Sequence, residues 1–489
     1  MKIKIPNKKY LKRAFEILNN GDINLKKNNY SYYSLNETLF TSEQIQSLME
    51  KKGIKNRLKL SSGTSDKMAF QGFINQAKED LEKGTYYRFY SPPKGNINAR
   101  KALAYAESIK MKNVTYSSED ICMAEGVTGA ISMVFEYIKN NYPLSSALVI
   151  GPTYYLYTYL ANYYKIPVKE IINTKGEIPF KFDINLLKKN ISKSTKLIVL
   201  VRPNNPVGEI YSEKDLKEIF KIAKEKNILI LIDEIFYDLI FNKDNIFESD
   251  VIAEKYNALS NLIIVKGYSK NKNLAAFRIG YILSKNNLVI NTVATISEQR
   301  QCFANAQNYT GVICLDASLS SIKKLIYKKY SLNEAVKKVK NDLNYALAIN
   351  EKNESELKKL FSNYVKYEKN LKGYYEKTYD EALSILKNDI EIILDKTVAF
   401  NTFIKIKDLE NINYFDFCLN LFLTTGVESQ IGPCFGLTQR EWQENKNLGF
   451  WLRLSFSRET FLEGVKTFVE FKKLYLKNKS KFLKTGFNL

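Results

Sequence analysis

Three short apolar runs in the first two-thirds of the chain each lead into a polar residue. The runs are LIVLV at 197–201, ILILI at 228–232 and NLIIV at 261–265, and they precede Asn205, Asp233 and Lys270. Such runs are typical of strands buried on both faces in a parallel sheet. A helical pattern, KDLKEIFKIAKEKN, separates the first run from the second, as a right-handed βαβ unit requires. Because ligand sites assemble at the carboxyl ends of parallel strands, we expect the three polar side chains to converge.

An amine, a carboxylate and an amide at one sheet edge suit a pyridoxal 5'-phosphate (PLP) site. The lysine amine forms a Schiff base with an aldehyde, and an acid keeps a pyridine nitrogen protonated. The motifs around them read RPNNPVG at 202–208, DEIF at 233–236, GYSK at 267–270 and AFRIG at 276–280. Together these motifs resemble the N-P-x-N-P-T-G, D-E-x-Y, S-x-S-K and G-x-R-x-G patterns of fold type I PLP-dependent aminotransferases, the class I/II, aspartate aminotransferase-like family.

The resemblance implies an α/β fold with two domains. A large domain would hold a mostly parallel sheet sandwiched by helices, and both chain ends would build a smaller α+β domain. We therefore expect an N-terminal arm and part of the small domain at 1–60, the large PLP-binding domain at 61–310, and the rest of the small domain at 311–489. A lysine-rich helical stretch near 317–385 exceeds the family pattern, and we interpret it as a surface elaboration, with a lid or partner-binding element as the alternative.

The same resemblance assigns a role to each candidate cofactor ligand. Lys270 would carry the Schiff base and move the substrate's Cα proton. Asp233 would hold the pyridine nitrogen, and Asn205 would donate to the cofactor's phenolic oxygen. Tyr154 would stack on the pyridine ring. The phosphate would be bound by Arg278 and by Val127 and Thr128 at a helix start; the family's serine three residues before the lysine is Gly267 here, so whether Ser269 compensates stays open.

Two further residues extend the site. Arg453, in WLRLS, matches the family arginine that clamps the substrate α-carboxylate beside Asn205. Tyr90 matches a tyrosine that reaches the phosphate of a neighbouring subunit, which implies a homodimer with shared active sites. The tyrosine expected three residues after the aspartate is Phe236, so either Tyr237 reaches the phenolic oxygen instead or that oxygen has one donor fewer.

Composition excludes several other classes of protein. The chain has no histidine, which excludes Ser-His and Cys-His nucleophiles and His-ligated metals, so we expect no metal. The net charge is +22, from 74 basic and 52 acidic residues. The basic residues are 64 lysines and only 10 arginines, a balance that does not favour nucleic acid as a partner. No apolar stretch reaches the roughly 18 residues of a membrane span, and no signal-peptide pattern is present. Five scattered cysteines fit a reducing compartment, and the sequence predicts a cytoplasmic protein.

These observations predict an aminotransferase that moves the amino group of an L-amino acid to a 2-oxo acid. A PLP-dependent lyase, decarboxylase or oxidase acting on an amino acid is the main alternative, because the motifs do not reveal which Cα bond is aligned for cleavage. An aminotransferase-like transcription regulator is a minor one, since residues 1–60 show no clear helix-turn-helix.

Overall fold

A computed structural model describes most of the 489 residues. The described residues are 3–20, 39–84, 86–240, 247–300, 308–394, 400–410, 412–437, 439–445 and 448–485. In chain order, strands β1 to β13 span Leu58–Lys59, Ile121–Glu125, Ser146–Gly151, Val168–Ile172, Thr195–Val201, Leu229–Asp233, Leu262–Gly267, Ile279–Leu283, Ile390–Ile393, Asn401–Ile406, Val427–Glu428, Gln430–Ile431 and Phe450–Ser455. Helices α1 to α17 span Lys8–Asn20, Glu43–Glu50, Gln71–Glu82, Ile97–Ser108, Gly126–Asn141, Leu156–Tyr163, Ile184–Asn190, Glu213–Lys226, Ser249–Lys255, Asn287–Gln299, Thr310–Tyr327, Leu332–Asp342, Leu347–Asn350, Glu354–Leu386, Tyr414–Thr425, Gln439–Glu444 and Phe461–Lys477.

A seven-stranded sheet in the order β2-β8-β7-β6-β5-β3-β4 forms the centre of the molecule. Its strands are parallel except β8, which runs antiparallel to both β2 and β7. The three apolar runs of the sequence are β5, β6 and β7, which lie side by side and parallel. The prediction of a mostly parallel α/β sheet is therefore confirmed, and the polar residues after these strands share one edge.

Local signals in the sequence explain the helix between β5 and β6. Helix α8 begins after Ser212, whose hydroxyl accepts from the Asp215 amide while the Asp215 carboxylate accepts from the Ser212 amide. Helix α8 ends at Asn227, which adopts the left-handed conformation (φ +49°) that asparagine tolerates better than most residues. A full βαβ unit results, as predicted.

The two faces of the central sheet bury two separate apolar cores. Along β5, Leu197, Val199 and Val201 belong to one core, and Ile198 and Leu200 belong to the other. This alternation follows from the two-residue period of a strand. The same two-residue period places Asp233 and Glu234 on opposite faces of the sheet, so they line two different cavities.

A second layer of structure combines both ends of the chain. An antiparallel sheet in the order β12-β13-β10-β9 lies near the C-terminus, and β1 pairs in parallel with β11. Helices α11 and α12 and the first turns of α14 contribute buried residues to one core of the large sheet, so the beginning of the helical stretch near 317–385 is packed rather than peripheral. The boundaries at residues 60 and 310 stay predictions. In the described residues, no helix has both the length and the apolar character to cross a membrane.

Candidate active site

A cavity of about 340 Å³ opens beside the carboxyl ends of β5, β6 and β7. It is lined by nine of the ten residues that the sequence singled out: Val127, Thr128, Tyr154, Asn205, Asp233, Ser269, Lys270, Arg278 and Arg453. The structure thus brings together side chains that are up to 326 positions apart in the sequence, counting from Val127 to Arg453. Tyr90 does not line the cavity, and its side chain is 84% exposed.

Lys270 lies three residues beyond the end of β7, and its amine is held against the backbone. Its Nζ donates to the carbonyl oxygen of Gly63 over 2.5 Å. A Cβ at position 63 would lie 3.2 Å from this Nζ, so a glycine there leaves the amine room. Burial, and then the positive charges of Arg453 and Arg278, lower the pKa of Lys270 to about 8. A substantial fraction of this amine is therefore neutral near physiological pH, as a nucleophile requires.

Asp233 is the last residue of β6, and its carboxylate is buried. Its Oδ2 accepts from the Tyr157 hydroxyl (2.7 Å) and its Oδ1 from the Ile235 amide (2.9 Å). Burial raises the pKa of Asp233 to about 6, although both hydrogen bonds act to lower it. A carboxylate in such a place is costly unless a positive group faces it, and a pyridinium N–H is such a group.

An anion cradle forms where α5 begins directly after β2. Gly126 has a φ of +68°, and a Cβ there would lie 2.5 Å from Nη2 of Arg278. Arg278 itself is left-handed (φ +52°), and its guanidinium donates to the carbonyls of Ala275 (3.0 Å) and Glu125 (3.3 Å). Its charge is thereby fixed beside Val127 and Thr128, at the positive end of the α5 dipole. A guanidinium and a helix N-terminus together suit a phosphate group.

Arg453 reaches the cavity from β13 of the C-terminal sheet and is 3% exposed. Its Nε donates to Ser61 Oγ (2.7 Å) and its Nη1 to Asn205 Oδ1 (3.0 Å), while the guanidinium lies 5.1 Å from the centre of the Phe435 ring. Because the Asn205 oxygen accepts from Arg453, its amide NH₂ is the donor that can face a ligand. The contact between Arg453 and Asn205 joins the two sheets across the site.

Phe236 and Tyr237, the two residues near the place of the family tyrosine, lie in different cavities. Phe236 lines the cavity and packs edge-on against Phe400, with ring centres 5.6 Å apart. Tyr237 lines a different cavity, and its ring lies beneath Arg202 (5.5 Å) and Lys266 (5.7 Å). Tyr237 therefore does not take the place of the tyrosine that Phe236 replaces.

Several lining residues were not identified from the sequence. Tyr157 holds Asp233, and the segment from Ser61 to Thr64 covers Lys270 and Arg453. Tyr157 stands in the tyrosine-rich stretch TYYLYTYLANYY, where no local pattern distinguishes it. The glycine between polar residues in SSGTS at 61–65 was the available signal, since it marks a close backbone approach.

Comparison with known proteins agrees with this geometry. The family described as aminotransferase class I and II matches residues 55–346, more than half of the chain. The chain belongs to this family. The protein is thus a PLP-dependent aminotransferase, and the motif resemblance is confirmed.

Two curated relatives and one solved structure illustrate what the chain is similar to. The enzyme is 26% identical to the aspartate aminotransferase of Sulfolobus acidocaldarius over 290 residues, which cover 59% of this chain and 70% of the relative. It is 27% identical to the tyrosine aminotransferase of Dictyostelium discoideum over 280 residues, 55% of this chain and 62% of the relative. A Thermus thermophilus aspartate aminotransferase double mutant superimposes with a TM-score of 0.66 at 19% identity, covering 92% of this chain and 98% of that one. This last likeness shows the shared fold.

The residues present fit the cofactor. Lys270 offers an amine of lowered pKa, Asp233 a buried carboxylate, and Arg278 a fixed cation at a helix start where glycine leaves space. When it is bound through its aldehyde to an amine, PLP supplies a protonated pyridine ring that accepts electrons from a bond broken at Cα.

Proposed function

We propose that this aminotransferase transfers the amino group of an L-amino acid to a 2-oxo acid, with Lys270 as the lysine that carries PLP. The observation that supports this proposal most is the convergence of Lys270, Asp233 and Arg453 on one cavity, although the three residues come from two different sheets. An amine, an acid and a carboxylate receptor are the three groups that amino-acid chemistry on PLP requires.

Each side chain then has a defined task. Asp233, oriented by Tyr157, holds the proton on the pyridine nitrogen. Arg278 and the amides of Val127 and Thr128 hold the phosphate, with the hydroxyl of Ser269 at the cavity wall. The side chain of Tyr154 lines the same cavity, where a ring stacked on the pyridine would exclude water. Lys270 serves as the base that moves the proton at the substrate's Cα, because its amine is partly neutral.

Arg453 sets the orientation of the substrate. Its guanidinium is held by Ser61 and Asn205, so the orientation of the guanidinium plane is fixed before a substrate binds. A planar guanidinium binds a carboxylate through two parallel hydrogen bonds. A substrate fixed in this way presents its Cα–H bond to Lys270 in one orientation. Proton transfer between two groups that are already held in place is faster than transfer between groups that must first meet.

A product assay tests the proposed reaction against its alternatives. The purified enzyme, loaded with PLP, is incubated with single L-amino acids with and without a 2-oxo acid. Transamination predicts a new amino acid and a new 2-oxo acid in equal amounts only when both substrates are present. Release of ammonia, of carbon dioxide or of hydrogen peroxide without a 2-oxo acid would instead identify a lyase, a decarboxylase or an oxidase.

Replacement of Phe236 by tyrosine is expected to shift the titration of the bound cofactor. Because Phe236 has no hydroxyl and Tyr237 lines the other cavity, the phenolic oxygen of a bound cofactor would have one donor fewer than in the family pattern. A new hydroxyl at position 236 would stabilise the anionic form of the phenolic oxygen. That oxygen would then hold the proton on the Lys270 nitrogen less tightly, so the apparent pKa of the attached cofactor would fall. A hydrogen bond to a charged group is worth roughly 1.5–3 kcal/mol, and ~1.4 kcal/mol corresponds to one pKa unit.

Absorbance of the PLP-loaded protein as a function of pH measures this shift. We expect the pKa in Phe236→Tyr to fall by about one unit relative to the wild type. Phe236→Leu is the matched control, since it removes the ring without adding a donor, and its titration should follow that of the wild type. An unmoved pKa in Phe236→Tyr would show that another donor already occupies the place.

We also propose that the enzyme is a homodimer in which Tyr90 acts across the interface. Tyr90 is 84% exposed and stands beside Phe89 (73%) and Tyr87 (56%), an aromatic surface of the kind that interfaces bury. Sedimentation velocity of the PLP-loaded protein tests the dimer, and a monomer at micromolar concentration would contradict it. Among the described residues, four cysteines are buried free thiols (Cys122, Cys314, Cys418 and Cys434), which supports a cytoplasmic location.

A further inference from the structure

Helix α14 carries three tyrosines whose hydroxyls bond to chain segments beside the Lys270 amine. Tyr364 and Tyr375 are about three full helical turns apart, and Tyr367 follows Tyr364 by three residues, so the three lie on one side of the helix. None of the three lines the cavity of the candidate active site. Any effect that they have on the chemistry must therefore pass through the segments that they hold.

The first of these segments, here called the lysine segment, is residues 270–273 at the start of the turn after β7. Lys272 is buried and donates from Nζ to the Tyr364 hydroxyl (2.7 Å). Asn273 adopts the left-handed conformation (φ +55°) and donates from Nδ2 to the Tyr367 hydroxyl (3.1 Å). The turn that follows the lysine is thus tied to α14 at two successive residues.

The second segment, here called the glycine segment, is residues 62–68 and contains the glycine carbonyl that accepts from the lysine amine. The Tyr375 hydroxyl donates to Ser65 Oγ (3.0 Å). The Tyr367 hydroxyl donates to the carbonyl oxygen of Met68 (3.0 Å). A single oxygen, that of Tyr367, therefore joins the two segments, because it accepts from the lysine segment and donates to the glycine segment.

The relative position of the two segments decides where the Lys270 amine lies. Its Nζ donates to the Gly63 carbonyl over 2.5 Å, so the side chain spans directly from one segment to the other. The charged groups that face this amine are Asp233, Arg278, Arg453 and Arg458. If the segments moved apart, water would reach the amine, and the burial that keeps part of it neutral would weaken.

Packing alone does not require these hydroxyl groups. The ring of Phe70 lies 5.4 Å from that of Tyr364 and 5.8 Å from that of Tyr367, between ring centres, and phenylalanine could make the same contacts. The glycine segment has a second support, because Nε of Arg458 donates to Ser62 Oγ (2.9 Å). The hydroxyl of Tyr367 then ties the lysine segment to a part of the chain that is already fixed.

We propose that Tyr367, supported by Tyr364 and Tyr375, is a positioning residue for Lys270. Its hydroxyl holds the lysine segment against the glycine segment and so keeps the amine in place for the attachment of PLP. This inference rests on the proposed role of Lys270 as the lysine that carries PLP. It adds a task for α14 that involves no contact with cofactor or substrate.

The pH dependence of PLP attachment tests this role. The full-length protein is freed of PLP, and the rate at which added PLP attaches is followed by absorbance. Only the neutral amine attacks the aldehyde, so the rate rises with pH through the pKa of Lys270. In Tyr367→Phe we expect the midpoint of this profile to rise by about 0.5 pH unit or more, which lowers the rate at neutral pH by about three-fold or more.

Tyr374→Phe is the matched control. The Tyr374 ring contacts Nζ of Lys67 (3.9 Å to the ring centre), a contact that phenylalanine keeps, and in the described part of the chain its hydroxyl bonds to neither segment. The midpoint in this variant should equal that of the wild type. Tyr364 is left unchanged in the test, because its loss would remove a partner of the buried Lys272 ammonium.

A double-mutant cycle identifies the contact that is responsible. Asn273→Gly removes the amide that bonds to Tyr367, and glycine tolerates the left-handed backbone at this position. Because the two changes remove the same hydrogen bond, the double variant should shift the midpoint no further than the larger of the two single variants.

Three results would overturn the proposal. They are a wild-type midpoint in Tyr367→Phe whatever its Tm, an equal shift in Tyr374→Phe, and additive shifts from Tyr367→Phe and Asn273→Gly. A lower Tm with an unmoved midpoint would assign the hydroxyl to stability alone. Failure of the proposed role of Lys270 would appear instead in the wild type, as attachment of PLP to a different lysine in peptide mapping.

Discussion

Lys270→Ala is expected to reduce kcat by about 10⁴-fold or more and to leave the fold intact. In the proposed mechanism, the variant loses both the amine that attaches the cofactor and the base at the substrate's Cα, and general acid–base catalysis alone contributes roughly 10²–10⁴-fold. Asp233, Arg278 and the start of α5 remain, so PLP should still bind without attachment. Steady-state kinetics, together with dialysis of the loaded protein, measure both effects.

Lys270→Arg is the chemical control for this variant. It keeps the positive charge but offers no amine that can attach the cofactor, so it should be as inactive as alanine. Lys59→Ala removes another lysine of the same cavity and should keep the cofactor attached. If Lys270→Ala or Lys270→Arg retained a substantial fraction of the wild-type kcat, another residue would carry the chemistry.

Arg453→Ala is expected to lower kcat/KM for the amino-acid substrate by about 10²–10³-fold, mainly through KM. Truncation of one partner of a buried, hydrogen-bonded charge pair costs roughly 2–5 kcal/mol. The absorbance spectrum and the affinity for PLP should change little, because Arg453 contacts Ser61 and Asn205 rather than the phosphate cradle.

Arg57→Ala is the matched control for Arg453. Arg57 pairs with Glu428 near the same cavity but is not one of its lining residues, so KM should stay within a few-fold of the wild-type value. A KM in Arg453→Ala equal to that of the wild type would remove the carboxylate-clamp assignment, and a large loss of PLP affinity would assign Arg453 to the cofactor instead.

The grouping of Asn205, Asp233 and Lys270 around one cavity could be predicted from the sequence because its signals are local. Asn205, Asp233 and Lys270 follow apolar runs, and parallel strands bring their carboxyl ends to one edge. Contacts between distant segments left no such signal. Ser61 and Arg453 are 392 residues apart, and their hydrogen bond depends on how the C-terminal sheet packs beside the large one. The hydroxyl of Tyr157 in α6 reaches Asp233 at the end of β6, 76 positions further along the chain, and no local pattern indicates that contact.

The directions of neighbouring side chains were also beyond the sequence. Phe236 and Tyr237 are adjacent, and only the backbone geometry after β6 decides that the phenylalanine lines the candidate active site and the tyrosine lines a cavity on the other face of the central sheet. The stretch near 317–385 contains most of helices α11 to α14, but its lysine-rich sequence did not indicate that some of its lysines and carboxylates would line a charged cavity.

We expect PLP to be attached to Lys270, and chemical reduction identifies the lysine that carries it. The PLP-loaded protein is treated with borohydride, which fixes a pyridoxyl group on the lysine that carries the cofactor, and the peptides are then mapped by mass spectrometry. The chain has 64 lysines, so the position of the label is informative. We predict one pyridoxyl group per chain, on Lys270, and none in Lys270→Ala. A label on another lysine, or a protein that takes up no PLP, would contradict the attachment of PLP to Lys270.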